Sequence, residues 1–304
     1  MGTDAGLTAE HPVKAKPKRR WLQFSLRTLL VLMLVCGCAL GWLRHEVQRA
    51  RAQREAAKPL EELGGDVVYN RVGGPVAYWL GQLLGEDLDF EPTVVSLDGT
   101  PVTDAGLTHL KGLPQLRTLI LSHSKITDAG LKHLRGLTRL ERLYLRDPQF
   151  TDAGLENLQG LTQLTVLDLS STPVTDAGLM HLKGLPQLRT LILSHSKITD
   201  AGLVHLKGLP QLQTLILNHS EVTDAGLEHL QGLTQLTVLG LSSTQITDAG
   251  LEHLQGLKQL RWLYLGRTQV TDAGVYELKM ALKDARMPRD VGDDDYVTAT
   301  DLLP

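Results

Sequence analysis

Residues 116–139 read LRTLILSHSKITDAGLKHLRGLTR, and the apolar residues in these 24 positions decide the architecture. Leu119 and Leu121 stand two apart, the spacing of one face of a short strand. Leu131 and Leu134 stand three apart, the spacing of one face of a helix. Leu116, Ile126 and Leu137 complete the apolar set. The tetrapeptide Thr-Asp-Ala-Gly then recurs eight times at a 24-residue step, beginning at residues 103, 127, 151, 175, 199, 223, 247 and 271. A fixed period of this size means one strand–turn–helix–turn unit stacked on copies of itself. Function must therefore be sought on a repetitive surface.

The helix boundaries are explicit. Thr127 is an N-cap residue, because its hydroxyl can accept from an orphan amide of the first turn. Asp128 places negative charge where the helix dipole favours it. Ile126 and Leu131 flank the cap as a hydrophobic staple. Gly136 is expected to close the helix in a left-handed conformation, with Leu137 folding back. Prolines follow in three copies (Pro114, Pro186, Pro210) and block continuation. The eighth copy keeps the start signal but loses the closing Gly-Leu. Gly130, in the first helical turn, costs about 1 kcal/mol relative to Ala. Its recurrence predicts a close approach by a neighbouring layer.

With these residues in view, the unit LxxLxLSxTxITDAGLxHLxGLxx resembles the bacterial leucine-rich repeats of the TDAGL type. It is also similar to ribonuclease-inhibitor-like repeats and to those of F-box proteins. The resemblance covers residues 93–284 and implies an α/β fold, a right-handed horseshoe solenoid. Its parallel β-sheet would line the concave side and its helices the convex side. The implied function is protein binding, as a scaffold or, alternatively, as an adaptor in regulated turnover. Two departures weaken the adaptor reading: no repeat carries the F-box-type cysteine, and Ser124, Pro148 and Thr172 stand where Asn is usual. Some units are also related in threes, since LRTLILSHSKITDAGL occurs at both 116–131 and 188–203. Block duplication explains that, so repetition alone does not mark a binding site.

The N-terminal part has a different composition. Residues 28–43 form the apolar run TLLVLMLVCGCALGWL, and residues 22–43 reach the ~20 residues a spanning helix needs. Trp21 and Trp42 stand near its ends, as interfacial anchors do. A cleaved or lipidated leader at Cys36 or Cys38 is the competing reading, but Val35-Cys36-Gly37-Cys38 is a partial lipobox and apolar residues continue past it. Five basic residues precede the span and five follow it. Arg27 and the tighter upstream cluster (Lys14, Lys16, Lys18, Arg19, Arg20) favour an inside N-terminus. The expectation is a single-pass protein of the cytoplasmic membrane, with the repeats on the non-cytoplasmic side.

The remaining segments follow. Residues 1–21 read as a basic tail and 44–65 as a solvated stalk helix. Residues 66–92 read as an N-terminal cap, with a strand at Val67–Tyr69 and a helix at 77–84. Leu278, Met280, Ala281 and Leu282 are expected to close the far end, and 285–304 to form an acidic, disordered tail. Residues 1–58 carry a net +7 and the rest −10. An acidic repeat region argues against nucleic-acid binding. Both cysteines lie in the apolar run, which leaves no disulfide framework and no Cys-based zinc site.

Chemistry is sparse. His109, His133, His181, His205, His229 and His253 recur in the GLxHL slot, but rungs about 10 Å apart are too distant to share a metal. Ser122-His123 and Ser194-His195 suggest a nucleophile and base, yet adjacent strand residues point to opposite faces and no orienting third group is present. No catalytic residue, cofactor, metal or small-molecule substrate is therefore expected. The stronger signal is the concave face. Most copies place small or aliphatic residues there, whereas two bring aromatic and Arg side chains, the types that dominate interface energy. The candidate partner-binding residues are Tyr144 and Arg146 in one copy and Trp262, Tyr264 and Arg267 in another. His123, His195 and His219 are milder contributors along the same edge.

Overall fold

The computed structural model describes residues 26–71, 75–85, 90–146 and 149–288. The basic tail, the first residues of the apolar segment, Pro148 and the acidic cluster at 290–295 lie outside the described residues. The chain divides into two compact units, residues 1–46 and 47–304.

The first unit contains the start of α1 (Leu26–Glu62), whose apolar side chains are exposed from Leu26 to Trp42. By length and composition this helix is apolar enough to cross a membrane. The second unit is built on a nine-stranded sheet in chain order. Its strands are β1 (Asp66–Arg71), β2 (Phe90–Ser96), β3 (Thr118–Ile120), β4 (Arg142–Tyr144), β5 (Val166–Asp168), β6 (Thr190–Ile192), β7 (Thr214–Ile216), β8 (Val238–Gly240) and β9 (Trp262–Tyr264). β2 to β9 are parallel, and each residue from β2 onward pairs with the residue 24 positions later, so Leu119 meets Leu143 and then Leu167. β1 differs, running antiparallel to β2 at the N-terminal edge.

This register stacks identical side chains into ladders. Leu116, Leu119, Leu121, Ile126, Leu131, Leu134 and Leu137 are all buried, as their spacing predicts, and each repeat adds an equivalent layer to one continuous core. At ~1.5–3 kcal/mol per buried aliphatic side chain, these layers supply the main driving force.

The convex side is tighter than a regular helix. Asp128–Leu131 forms one α-turn, and Lys132–Gly136 continues as 3-10 helix. The expected left-handed closure at Gly136 does not occur, since this glycine is not among the residues of positive φ. The 3-10 turn instead ends with the Leu137 N–H donating to Leu134 O at 2.9 Å. Its i→i+3 bonding already satisfies carbonyls that an α-helical end leaves open.

The close approach predicted at Gly130 is present, and its cause is the preceding repeat. Asp104 accepts from the Thr127 N–H (2.8 Å) and hydroxyl (2.6 Å), and a Cβ on Gly130 would lie 2.2 Å from Asp104 Oδ1. The same arrangement recurs at every later junction, ending with Asp248 on Thr271 and Gly274. The capping role expected of the threonines is secondary. Thr127, Thr199 and Thr247 accept at 3.3 Å from the N–H two residues on, and Thr271 from the N–H three residues on, while Thr151, Thr175 and Thr223 make no such bond.

Both ends are closed. Residues 47–62 of α1 are not a solvated stalk. Ala57 and Leu60 are fully buried, Ala50 and Gln53 nearly so, and Ala56 packs so closely on Gly112 of the first repeat that a Cβ there would lie 2.3 Å away. The apolar stripe of this segment is narrow and Ala-rich, so it resembles a solvated helix until the repeat it covers is known. β1 pairs with β2 at this end, and a strand and a helix, β1 and α2 (Pro75–Leu84), stand close to the sequence positions expected for them. At the other end, Leu278 and Leu282 are buried, but Met280 is 66% exposed and Ala281 only half-buried. Residues 285–287 belong to the fold as well. Ala285 and Met287 are buried, and Arg286 bonds through its backbone to Leu263 and Arg261 at the free edge of β9.

Candidate partner-binding surface

Because Leu119 and its equivalents face the core, the flanking residues of each strand face the concave side. Two ladders result. One runs Thr118, Arg142, Val166, Thr190, Thr214, Val238, Trp262, and the other Ile120, Tyr144, Asp168, Ile192, Ile216, Gly240, Tyr264. Tyr144, Ile192 and Ile216, with Ile120, Val166 and Val238 against them, form an apolar cluster separate from the main core.

Tyr144 is only 9% exposed, and burial is the main cause that pushes its phenol pKa up. Its ring is thus a packed member of the concave layer more than a projecting anchor. Arg146 is held in place by Asp168, its Nε donating to Oδ2 at 2.7 Å. The other oxygen of this fully buried carboxylate accepts from the Ser170 N–H (3.0 Å) and hydroxyl (2.5 Å). Such satisfaction is what lets a charge sit buried. Sequence reasoning did not single out Asp168. The available signal was a lone carboxylate on a concave ladder, one repeat minus two residues after an Arg.

The three histidines and Arg267 share a second feature. Two residues beyond each strand's second leucine, the chain enters the left-handed region at His123, Ser171, His195, His219, Ser243 and Arg267, with φ between 54° and 56°, and at Gly99 with φ 64°. Ser122-His123 and Ser194-His195 are therefore strand-end and turn residues, not neighbours on a strand. The turn is held by a backbone ladder, as where the His195 N–H donates to Asn218 O at 2.9 Å. The residue after it donates its hydroxyl to a strand-end carbonyl, Ser124 to Leu121 O (2.6 Å) and Thr172 to Leu169 O (2.7 Å), which explains Ser and Thr there.

This turn row brings His195 and His219 together as stacked rings, centroids 4.1 Å apart and 13° from parallel. The His219 pKa is lowered, first by burial, then by His195 and Arg267. His123 lies elsewhere, its Nδ1 3.0 Å from Asp98 Oδ1. Trp262, 37% exposed, stacks on Tyr264 at 6.3 Å, while the Arg286 guanidinium lies 5.0 Å from its ring centre. Trp262 thus serves the C-terminal closure and still presents a face to solvent. Tyr144 and Tyr264 are five strands apart, about 24 Å at ~4.8 Å per strand.

On the convex side, His181 and His253 lie beside Gln159 and Gln231 at 3.1 and 2.9 Å. Among the described residues, no three His, Cys, Asp or Glu side chains are grouped to hold a metal.

Comparison with known proteins agrees with this geometry. A leucine-rich repeat family model matches three times, at residues 138–198, 162–222 and 210–270, and a second leucine-rich repeat model matches 113–134. Among solved structures, internalin C2 of Listeria monocytogenes is similar, with 27% identity over 70% of this chain and 92% of that one, at a TM-score of 0.52. A leucine-rich repeat protein of Leptospira interrogans also matches, with 21% identity over 60% of this chain and 45% of that one, at 0.47. So does the plant peptide hormone receptor RGFR1 in complex with RGF2, with 15% identity over 65% and 32%, at 0.44. No curated protein matches significantly. Solenoids of this kind typically bind proteins on extended concave surfaces. The 24-residue ladders, the shared core and the family matches together make the chain a leucine-rich repeat protein.

Proposed function

We propose that this protein is a membrane-anchored scaffold that presents its concave face to a protein partner on the non-cytoplasmic side of the cytoplasmic membrane. The observation that carries the binding role is the solvent-facing Trp262 stacked on Tyr264 at the end of a concave layer whose other members, Arg142 and the buried Tyr144 apart, are small, aliphatic or internally paired. Aromatic side chains set in such surroundings concentrate interface energy. His195, His219 and Arg267 flank the pair along the turn row, and His123, Tyr144 and Arg146 extend the surface toward the N-terminal repeats. Anchoring is supported by the exposed apolar side chains of α1 and the basic cluster before them. The partner is a protein; the acidic balance of the repeats disfavours nucleic acid.

Site-specific photo-crosslinking tests the reading. A photoreactive group at Arg267 or Arg142 in the full-length membrane protein should capture a partner, and one at Lys132 or Glu228 on the convex side should not. Capture only from convex positions would refute the concave assignment. Protease protection of the repeats in intact spheroplasts would refute the orientation.

A further inference from the structure

α2 is a ten-residue helix, PVAYWLGQLL, without one charged residue. It is also poorly covered. Tyr78 is 45% exposed, Trp79 63%, Leu83 67% and Leu84 46%. Trp79 and Leu83, four apart, share one helix face, and the buried Gly81 marks the opposite side as the one packed on the cap. Apart from α1, no other helix among the described residues leaves so much apolar surface uncovered, and soluble surfaces rarely leave such a patch without an occupant.

Three observations identify the occupant. The first is tether length: only five residues, 44–48, separate Leu43, the end of the apolar run, from Arg49, a reach of at most about 22 Å even fully extended. Arg49 is already part of the cap through its ion pair with Glu91. The neighbouring Phe90 pairs in register with Arg71, and the Arg71 guanidinium lies 4.6 Å from the Tyr78 ring centre, so α2 belongs to the same end of the cap. The second is composition: Trp and Tyr with aliphatic neighbours suit the zone between headgroups and acyl chains. The third is charge, since residues 44–58 carry five basic side chains against two acidic ones, complementary to anionic headgroups.

We propose that α2 is an interfacial docking element that lays Trp79 and Leu83 into the headgroup region of an anionic bilayer, holding the first repeat against the membrane surface. This rests on the anchor reading above. α1 supplies the attachment, and α2 removes the freedom of the cap to swing away from the bilayer.

Full-length protein reconstituted in phosphatidylcholine–phosphatidylglycerol vesicles provides the test, with acyl chains brominated either near the headgroup or at mid-chain. Replacing Trp21, Trp42 and Trp262 by Phe leaves Trp79 as the sole indole, and a companion variant keeps only Trp42. Near-headgroup bromine should lower Trp79 emission about twofold, as for an indole at the interface. Leu83→Glu should abolish this quenching without changing that of the Trp42 variant, and circular dichroism confirms that each variant is folded. Unquenched Trp79 beside quenched Trp42 would overturn the docking and leave the anchor standing. Absence of quenching at both positions would overturn the anchor and the docking with it. Unquenched Trp79 in a cross-linkable dimer would assign the patch to a second copy and also refute the proposal.

Discussion

Asp176 and Thr199, 23 residues apart, are joined twice: the Thr199 N–H donates to Oδ1 at 2.8 Å and its hydroxyl to Oδ2 at 2.6 Å. The carboxylate lies where a Cβ on Gly202 would be, 2.3 Å from Oδ1. Asp, Thr and Gly of the repeated tetrapeptide thus serve the junction between repeats more than the helix that contains them. Asp176→Ala leaves two donors unpartnered and should cost ~1–3 kcal/mol in urea unfolding. Gly202→Ala should cost at least as much, because the carboxylate must move. The double variant should be less unstable than the sum, since removing the carboxylate makes room for the methyl. Strict additivity would show that the two residues do not compete for one space.

Ser171, at φ 56°, occupies a conformation that costs an L-residue about 1–2 kcal/mol. Ser171→Gly is expected to raise the thermal midpoint slightly, part of the gain being offset by the freedom of glycine in the unfolded chain. Ser171→Val should lower it. The reverse order would refute the strain assigned to this turn row.

The cap sets where a soluble fragment must begin. Ala57 and Leu60 are fully buried and Ala50 and Gln53 nearly so. A fragment of residues 47–304 should therefore melt cooperatively and well above one of residues 59–304, which exposes the first repeat. Equal midpoints would mean that this part of α1 contributes no packing.

His219 gives a signed pH dependence. Its folded pKa lies below the unfolded value of about 6.5, so the unfolded state binds the proton more readily. Its contribution is complete above about pH 6.5 and is lost as the pH falls through the folded pKa. His219→Gln should flatten the stability profile below pH 6.5 relative to the parent protein. Unchanged slopes would remove His219 from the acid sensitivity of the fold.

For partner binding, Tyr264→Ala should weaken capture by at least ~1–2 kcal/mol if it is a hot spot. The convex His133→Ala should be silent in the same titration. Tyr144→Ala needs a stability control, because a ring 9% exposed contributes to the concave layer as well as to any contact. Tyr144→Phe keeps the packing and isolates the hydroxyl.

The period, the core ladder and the concave ladders were determined by the sequence alone. They depend on residues two to four apart and on a constant 24-residue step, so the pattern of Leu119, Leu121, Leu131 and Leu134 suffices to assign them. The candidate surface was legible to the same depth: alternation placed Trp262 and Tyr264 on the concave side. What surrounds them was not legible. The burial of Tyr144, the Arg146–Asp168 pair and the His195–His219 stack join residues about one repeat apart. Their geometry follows from the distance between strands and the left-handed turns. The Asp176–Thr199 bonds follow from the stacking of successive helical turns, and the packing of Ala56 on Gly112 from the docking of α1 on the first repeat. Each joins segments whose separate sequences suggest a capped helix or a solvated one, and only stacking in three dimensions makes them partners.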